Sequence, residues 1–390
     1  MTRDGHAVIS ARGAKRWANG HPWVFRSDVV QPPSTPPGAV PVRDQQGRPL
    51  GVALWSPASE ISLRLLDRSP DAIVDGRWWH RRLEQAIARR APLVDETNAY
   101  RLAFGEGDGL PSLVADRYDR WLVVQFLSAG IEAFRQEIVD ALRSLTGADG
   151  ILARNDASVR TREGLERRVE TLWGDVPAEV EVAEYGVRYV AAPHTGQKTG
   201  AFLDQRENRV LAGAAACGRA LDLFSYHGSF ALHLARRATA VTAVDSSAQA
   251  LERASVNIAL NGFQNVSLVE ADVFEFLRER VKEGTRYETI VLDPPAFAKN
   301  KAALDGAVRG YRDVNLHAMR LLSTGGLLYT CSCSYHLSKP LFLDMLQSAA
   351  AAAGRRMIVR AVTGQPLDHP ELLTVPETGY LKGALLEAAD

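Results

Sequence analysis

Hydrophobic and polar positions follow three different rhythms along the chain. Over residues 1–75, short apolar runs at 7–10, 23–26, 39–44, 50–56 and 61–67 are parted by Gly/Pro-rich pieces such as QPPSTPPG and DQQGRPLG. Several short strands at this spacing predict a small β barrel. From Trp78 to Arg90 the period changes to that of a helix, with Trp79, Leu83, Ala86 and Ile87 along one face. Residues 76–190 then carry strand-like runs at 101–105, 110–119, 120–128 and 150–156, with a helical stretch at 131–145 and a hairpin pattern at 177–192. Without regular alternation, this block reads as an α+β domain. From about residue 195 onward strands and helices alternate. Strands are predicted at 220–225, 240–246, 266–272, 289–295 and 325–334, with helices at 205–216, 229–238, 248–262, 273–281, 311–322 and 341–353. That rhythm predicts a doubly wound, mainly parallel Rossmann-like sheet covered on both faces. The expected domains are therefore 1–75, 76–190 and 191–390.

Composition sharpens this picture in two ways. The chain of 390 residues is 46% hydrophobic, enough for ordinary cores, and excludes global disorder. No apolar stretch approaches the roughly 20 residues that span a bilayer, and the first residues lack the apolar core of a signal peptide, so a cytoplasmic protein without membrane contact is expected. Net charge is zero, with 46 basic against 46 acidic side chains, which by itself argues against nucleic acid. The charge is unevenly spread, however. Residues 1–90 hold 14 basic and 8 acidic side chains, a net of +6, and the rest of the chain carries −6. A basic front module on an acidic body follows.

In a doubly wound sheet, ligands sit at the carboxyl ends of the strands. The first strand of the alternating region ends in Asp222-Leu-Phe224-Ser225-Tyr226-His-Gly228, the second in Asp245 and the third in Asp272. A lone glycine is not the GxGxxG cradle of a dinucleotide pyrophosphate. Three acids at successive strand ends suit an adenosine without phosphates, attached to a cation: Asp245 for ribose hydroxyls and Asp272 for the adenine amino group. S-adenosylmethionine (SAM) has that composition; NAD is disfavoured by the missing glycines. The competing reading is that these acids merely cap helices.

The fourth strand ends in Asp293-Pro294-Pro295-Ala-Phe297, a stiff turn that presents one carboxylate and one ring, suited to holding a flat base. The fifth ends in Cys331-Ser-Cys333-Ser334. Period two places both cysteines on one face, with Cys333 nearer the strand end. They are packing residues or a thiolate nucleophile. No further Cys or His stands at zinc spacing, so no metal is expected. A thiolate has a specific use in pyrimidine methylation. Adding it to C6 makes C5 enamine-like and able to attack a sulfonium methyl. Methylating an exocyclic amino group of a purine needs no cysteine, and such enzymes use a tighter Asp/Asn-Pro-Pro-aromatic run than the one interrupted here by Ala296.

These motifs, with His21-Pro-Trp23-Val-Phe25, Gly105-Glu106, Asp108-Gly-Leu-Pro111, Asp116-Arg-Tyr118, His194-Thr-Gly-Gln-Lys-Thr-Gly200, Leu203-Asp-Gln-Arg206 and Tyr380-Leu-Lys-Gly383, resemble the RlmI-type family of bacterial 23S ribosomal RNA (cytosine-C5) methyltransferases over nearly the whole length. His227 stands where that family usually carries Thr. The resemblance implies an N-terminal PUA module for RNA, with Arg12, Lys15 and Trp23 as contacts. It implies SAM held by Asp222, Phe224, Ser225, Tyr226, Gly228, Asp245, Asp272 and Asp293, bordered by Gln205 and Arg206. It also implies Cys333 as nucleophile with Asp293 beside it. The turn itself assigns Pro294, Pro295 and Phe297 to the base, and Lys198, Lys299 and Lys301, which flank the motifs, are either RNA phosphate contacts or a solvated surface. The second cysteine that many RNA cytosine methyltransferases carry beside the Asp-Pro is replaced here by Pro295-Ala296. Within catalysis the alternative is exocyclic amino methylation of a purine in RNA; outside it, a non-catalytic RNA-binding or ribosome-assembly factor. A homodimer is left open.

Overall fold

The computed structural model describes residues 5–298 and 301–390. The chain folds into two compact units. The first comprises Met1–Val182, Ala191–Leu203 and Leu367–Thr378. Its N-terminal part is a six-stranded mixed sheet built on Ala7–Ile9, Trp23–Phe25, Val29–Gln31, Gly38–Asp44, Pro49–Trp55 and Ile61–Asp67. Alternate residues such as Ile9, Val24, Val40, Val42, Ala53 and Leu63 close over Trp17 to form its core. Trp17 comes from a helix, Ala11–Ala18, that the hydrophobic pattern does not reveal. Its middle part is a five-stranded sheet, Ala99–Phe104 to Arg168–Gly174, with helices Gly76–Ala88 and Arg135–Thr146. Trp78, Trp79, Leu83, Ile138 and Leu142 from those helices fill one core with Leu102, Leu113 and Val124 of the sheet.

The second unit comprises Ala183–Val190, Asp204–Pro366 and Gly379–Asp390. Its strands are β1 (Arg219–Leu223), β2 (Ala240–Asp245), β3 (Val266–Glu270), β4 (Tyr287–Leu292), β5 (Leu322–Ser332), β6 (Met357–Thr363) and β7 (Lys382–Ala388). Helices α1 (Arg206–Ala215), α2 (Ser229–Ala235), α3 (Ala248–Leu260), α4 (Val273–Lys282), α5 (Leu304–Leu321) and α6 (Lys339–Ala353) alternate with them. The sheet order is β3-β2-β1-β4-β5-β7-β6, parallel from β3 to β5 and antiparallel at β7 and β6.

Strand alternation divides the core into two layers. Leu221, Leu223, Ile290, Leu292 and Leu328 pack under α4, α5 and α6. Ala220, Val291, Tyr329 and Cys331 pack under α1 and α2, and Cys333 joins this second layer, as period two predicts. The chain leaves β1 toward β2 on one side and later returns to place β4 on the other. Leu223 therefore lies opposite both Val244 and Leu292, and the reversal of strand order opens a crevice beyond them. Three of the predicted strand-end residues, Asp222, Asp245 and Asp293, act on one another there.

Candidate active site

Beyond Leu223 the chain turns through a tightly wound loop. Phe224 and Tyr226 adopt left-handed backbone at φ +61° and +49°, and Gly228 follows at +79°. Such a conformation costs a non-glycine residue roughly 1–3 kcal/mol, so the surroundings must hold it. They do so with bonds from Ser225 N to Val244 O (3.1 Å), Tyr226 N to Asp245 Oδ2 (2.9 Å) and Gly228 N to Ser225 O (2.8 Å). At Gly228 a Cβ would also stand only 3.2 Å from that of Ala254. Asp222, fully buried at the end of β1, accepts from Ala231 N through Oδ2 (2.9 Å). Its Oδ1 and the Ser225 hydroxyl are buried without a partner among the described residues. Two unsatisfied polar atoms at one loop are the mark of a site that a ligand completes.

The electrostatics specify the sign of that ligand. Burial pushes the Asp222 carboxyl well above the usual carboxylate range, and the negative charges of Asp293 and Asp245 push it further. A cation in this crevice relieves all three acids at once. Asp245 receives Ser247 N on Oδ1 and Tyr226 N on Oδ2, leaving each oxygen a lone pair for a hydroxyl. The residues present thus fit SAM, with its sulfonium and ammonium charges and ribose diol. Asp272 is exposed and accepts from Glu275 N (3.1 Å) at the start of α4, so here the capping alternative describes what the structure contains.

Asp293 enters the crevice from the end of β4, its own N–H bonded to Leu223 O. Gln205 Nε2 donates to Asp293 Oδ1 (2.9 Å) and to Cys331 Sγ (3.2 Å), and the Cys331 thiol donates to the same Oδ1 (2.9 Å). Asn208 fixes the Gln205 amide by donating to its Oε1 (2.7 Å), which leaves Nε2 facing the acid. The two cysteines are therefore chemically distinct. Cys331 is fully buried, and its thiol is pushed well up by burial and then by the Asp293 charge, which keeps it protonated. Cys333, one residue past β5, is half-buried.

Cys333 sits between two buried serines that are pinned in place. Ser334 N donates to Ser332 Oγ (3.2 Å). A relay runs from Ala298 N to Ser334 Oγ (3.2 Å), on to Tyr311 Oη (2.8 Å) and finally to Pro295 O (3.2 Å). If the tyrosine hydroxyl donates to Pro295 O, the serine hydroxyl must donate to it in turn. One residue of α5 thereby locks the Asp-Pro-Pro turn to the Cys333 turn. Phe297 packs on Tyr311 with ring centroids 4.6 Å apart, and Phe224 and Phe274 complete an aromatic wall. Pro295 is exposed, Phe297 half-buried and Pro294 buried within the turn.

Arg206 is fully buried and 3.6 Å from Glu207. Lys198 is exposed on Ala191–Leu203 of the first unit, its Nζ 4.8 Å from the Phe202 ring centroid. Lys299 lies outside the described residues. On the helix Ala11–Ala18 Lys15 is exposed and Arg12 pairs with Asp28 (2.7 Å), while the Trp23 indole donates to Glu106 (2.8 Å). Arg16 shares Asp28 with Arg12, and Arg64 and Arg90 pair with Glu163 and Asp108, acids beyond residue 90, so the formal excess of +6 overstates the charge open to phosphates. Sequence reasoning passed over Tyr311, Asn208 and Lys382. Only the Tyr380-Leu-Lys-Gly383 motif hinted at the last.

Comparison with known proteins agrees with this geometry. Residues 8–68 match a PUA-like domain family, and residues 100–382 match a family of S-adenosylmethionine-dependent methyltransferases. The chain is 40% identical over 378 residues to the ribosomal RNA large subunit methyltransferase I of Alteromonas mediterranea, covering 95% of each chain. It is 38% identical over 386 residues to the protein of that name from Klebsiella pneumoniae, covering 96% of each. Two solved structures share the fold across 98% of this chain and 99% of theirs. One is a Streptococcus mutans protein described as a SAM-dependent methyltransferase (TM-score 0.82, 21% identity). The other is a methyltransferase complexed with S-adenosylhomocysteine (TM-score 0.84, 22% identity). The chain belongs to the ribosomal RNA large subunit methyltransferase I family of SAM-dependent methyltransferases.

Proposed function

We propose that this protein methylates C5 of a cytosine in 23S ribosomal RNA, with Cys333 as a covalent nucleophile. The large-subunit ribosomal RNA named for its relatives supplies the substrate class, and the PUA-like match supplies an RNA-binding module. The observation that carries the chemistry is the contrast between the two cysteines. A thiol that is buried and hydrogen-bonded to a carboxylate is kept from ionising, whereas a half-exposed thiol at a strand end is open to a flat base.

In this reading Asp222, Ser225 and Asp245 hold the cofactor. Once bound, SAM supplies an electrophilic methyl group on its sulfonium. Phe297 and Pro295 flank the base, and Asp293 accepts from its polar edge. The Cys333 thiolate adds to C6, and the electron pair released toward C5 forms the new C–CH3 bond as the methyl–sulfur bond breaks, its pair leaving with sulfur as S-adenosylhomocysteine. A base then removes the C5 proton, and the pair returns to expel the Cys333 thiolate. Gln205 and the Cys331 thiol act on Asp293 by donating to its Oδ1, which fixes the orientation of the carboxylate.

The test is to supply the protein with SAM and 23S RNA and identify the methylated nucleoside by mass spectrometry. 5-Methylcytosine is expected, from the wild-type protein and not from Cys333→Ala, with SAM binding by calorimetry retained in both. An N-methylated purine would replace this reading, and no methyl transfer despite tight RNA binding would point to an assembly factor.

A further inference from the structure

Strand β7 begins with a lysine in an unusual setting. Lys382 lies opposite Ser332 in the antiparallel β5–β7 ladder and is only 5% exposed. Its ammonium donates to Ser334 O and to Tyr380 O, both at 2.7 Å. Two of its three N–H groups are thus taken by neutral carbonyls, and among the described residues no carboxylate pairs with it. A buried ammonium without a counter-ion is expensive, and a protein avoids that cost by pairing the charge or replacing the residue. Ser334 O belongs to the residue just after Cys333, so the charge stands at the Cys333 turn.

The titratable groups around it come from β5, α5, the end of β4 and the turn before α1. Cys331 and Cys333 belong to β5 and its end, and they are the groups whose charge acts on Lys382. Tyr311 of α5 reaches the same turn through Ser334 Oγ. Asp293 at the end of β4 is bonded to Cys331, and Asp204 accepts from the Tyr380 hydroxyl (2.7 Å). Asp293 and Asp204 thus have partners of their own, and Cys331 is kept protonated. Of the two cysteines whose charge acts on Lys382, Cys331 is held protonated, so the charge that couples to this cation is that of a Cys333 thiolate.

We propose that Lys382 is the positioning residue of the nucleophile: through Ser334 O it fixes the Cys333–Ser334 turn, and its ammonium stabilises the Cys333 thiolate. The proposal rests on the reading of Cys333 as nucleophile given above. Burial brings the Lys382 pKa down to about 8, with the Cys333 and Cys331 charges acting the other way, so the group is still mostly protonated at neutral pH. A neighbouring cation lowers a thiol pKa by about one unit or more, which is about tenfold or more in thiolate.

The experiment follows iodoacetamide alkylation of each cysteine against pH in the full-length protein, with peptide mass spectrometry separating Cys333 from Cys331 and Cys217. In the wild type, Cys333 should titrate below the ordinary thiol value of about 8.5. Lys382→Met should raise that midpoint by about one unit or more, and Lys382→Arg should restore part of the shift. A wild-type midpoint at or above about 8.5 overturns the proposal without any variant. So does an unmoved midpoint in a Lys382→Met protein that still binds SAM. The nucleophile reading fails separately: a Cys333→Ala protein that methylates RNA would end that reading while leaving the Lys382–Cys333 coupling measurable.

Discussion

Replacing Cys331 separates the two cysteines by their environments. In Cys331→Ala, Asp293 loses the 2.9 Å thiol bond and keeps the 2.9 Å bond from Gln205, whose second N–H in turn loses its sulfur acceptor. A buried hydrogen bond to an ionised acceptor contributes about 1.5–3 kcal/mol. Removing the sulfur from a fully buried site leaves a methyl-sized void worth ~1 kcal/mol more. The sum is about 3 kcal/mol. For a unit of this size that lowers Tm by about 6–12 °C. Cys331→Ser retains a donor and an acceptor in the same place, so its loss should be about 1 kcal/mol or less. Differential scanning fluorimetry reads the stability, and tritiated-methyl incorporation into 23S RNA at saturating SAM reads the activity. Both variants should keep methyl transfer, the serine variant near the wild-type rate. A Cys331→Ser protein that binds SAM but transfers no methyl would refute the reasoning, since the chemistry would then belong to Cys331. An alanine variant as stable as the wild type would refute the hydrogen-bond argument.

Three further outcomes follow from the same geometry. Asp222 binds its proton more tightly when the crevice holds no cation, so binding SAM should release protons and affinity should rise with pH until the free-state carboxyl is ionised. Calorimetry in buffers of different ionisation enthalpy should detect that release, and Asp222→Asn should abolish it; uptake of protons would contradict the assignment. Tyr311→Phe removes the hydroxyl that joins the Pro295 and Ser334 turns, at a cost of about 1–3 kcal/mol, and kcat should fall more than SAM affinity in single-turnover assays. Glu184→Gln leaves the buried Arg209, now bonded to it at 2.6 and 2.7 Å, with an uncompensated charge; urea unfolding should show a loss of about 3–5 kcal/mol.

The regular part of the fold was legible because each β-α repeat buries a whole strand between two helix layers. Apolar runs such as TIVL and LLYT announce that directly. The elements that escaped bury little of their length or stand outside that rhythm. The helix Ala11–Ala18 buries just Gly13 and Trp17, although Ser10 caps it by accepting from Gly13 N. Strand Arg168–Gly174 has no buried residue, and β6 and β7 follow the last helix as antiparallel additions that no β-α rhythm foretells. At the site, residue identity at strand ends placed Asp222, Asp245 and Asp293 around one crevice. What the pattern could not supply was cross-chain pairing. The choice between cofactor contact and helix cap at Asp272, the Gln205–Asp293–Cys331 triangle and the Tyr311 relay all depend on partners 3 to 126 residues away. Charge behaved similarly: the basic excess of residues 1–90 is plain in the sequence, but only the fold shows that Arg12, Arg16, Arg64 and Arg90 are engaged by carboxylates.

The most direct test of a covalent Cys333–C6 intermediate is to trap it. With 5-fluorocytosine in the RNA, the thiolate can add and the methyl group can arrive, but fluorine cannot leave C5 as the proton does, so the adduct persists. In the presence of SAM, the wild-type protein should yield a denaturation-resistant protein–RNA complex whose cross-linked peptide contains Cys333. Cys333→Ala should give none. A complex mapped to Cys331, or undiminished methylation of unmodified RNA by Cys333→Ala, would contradict the account.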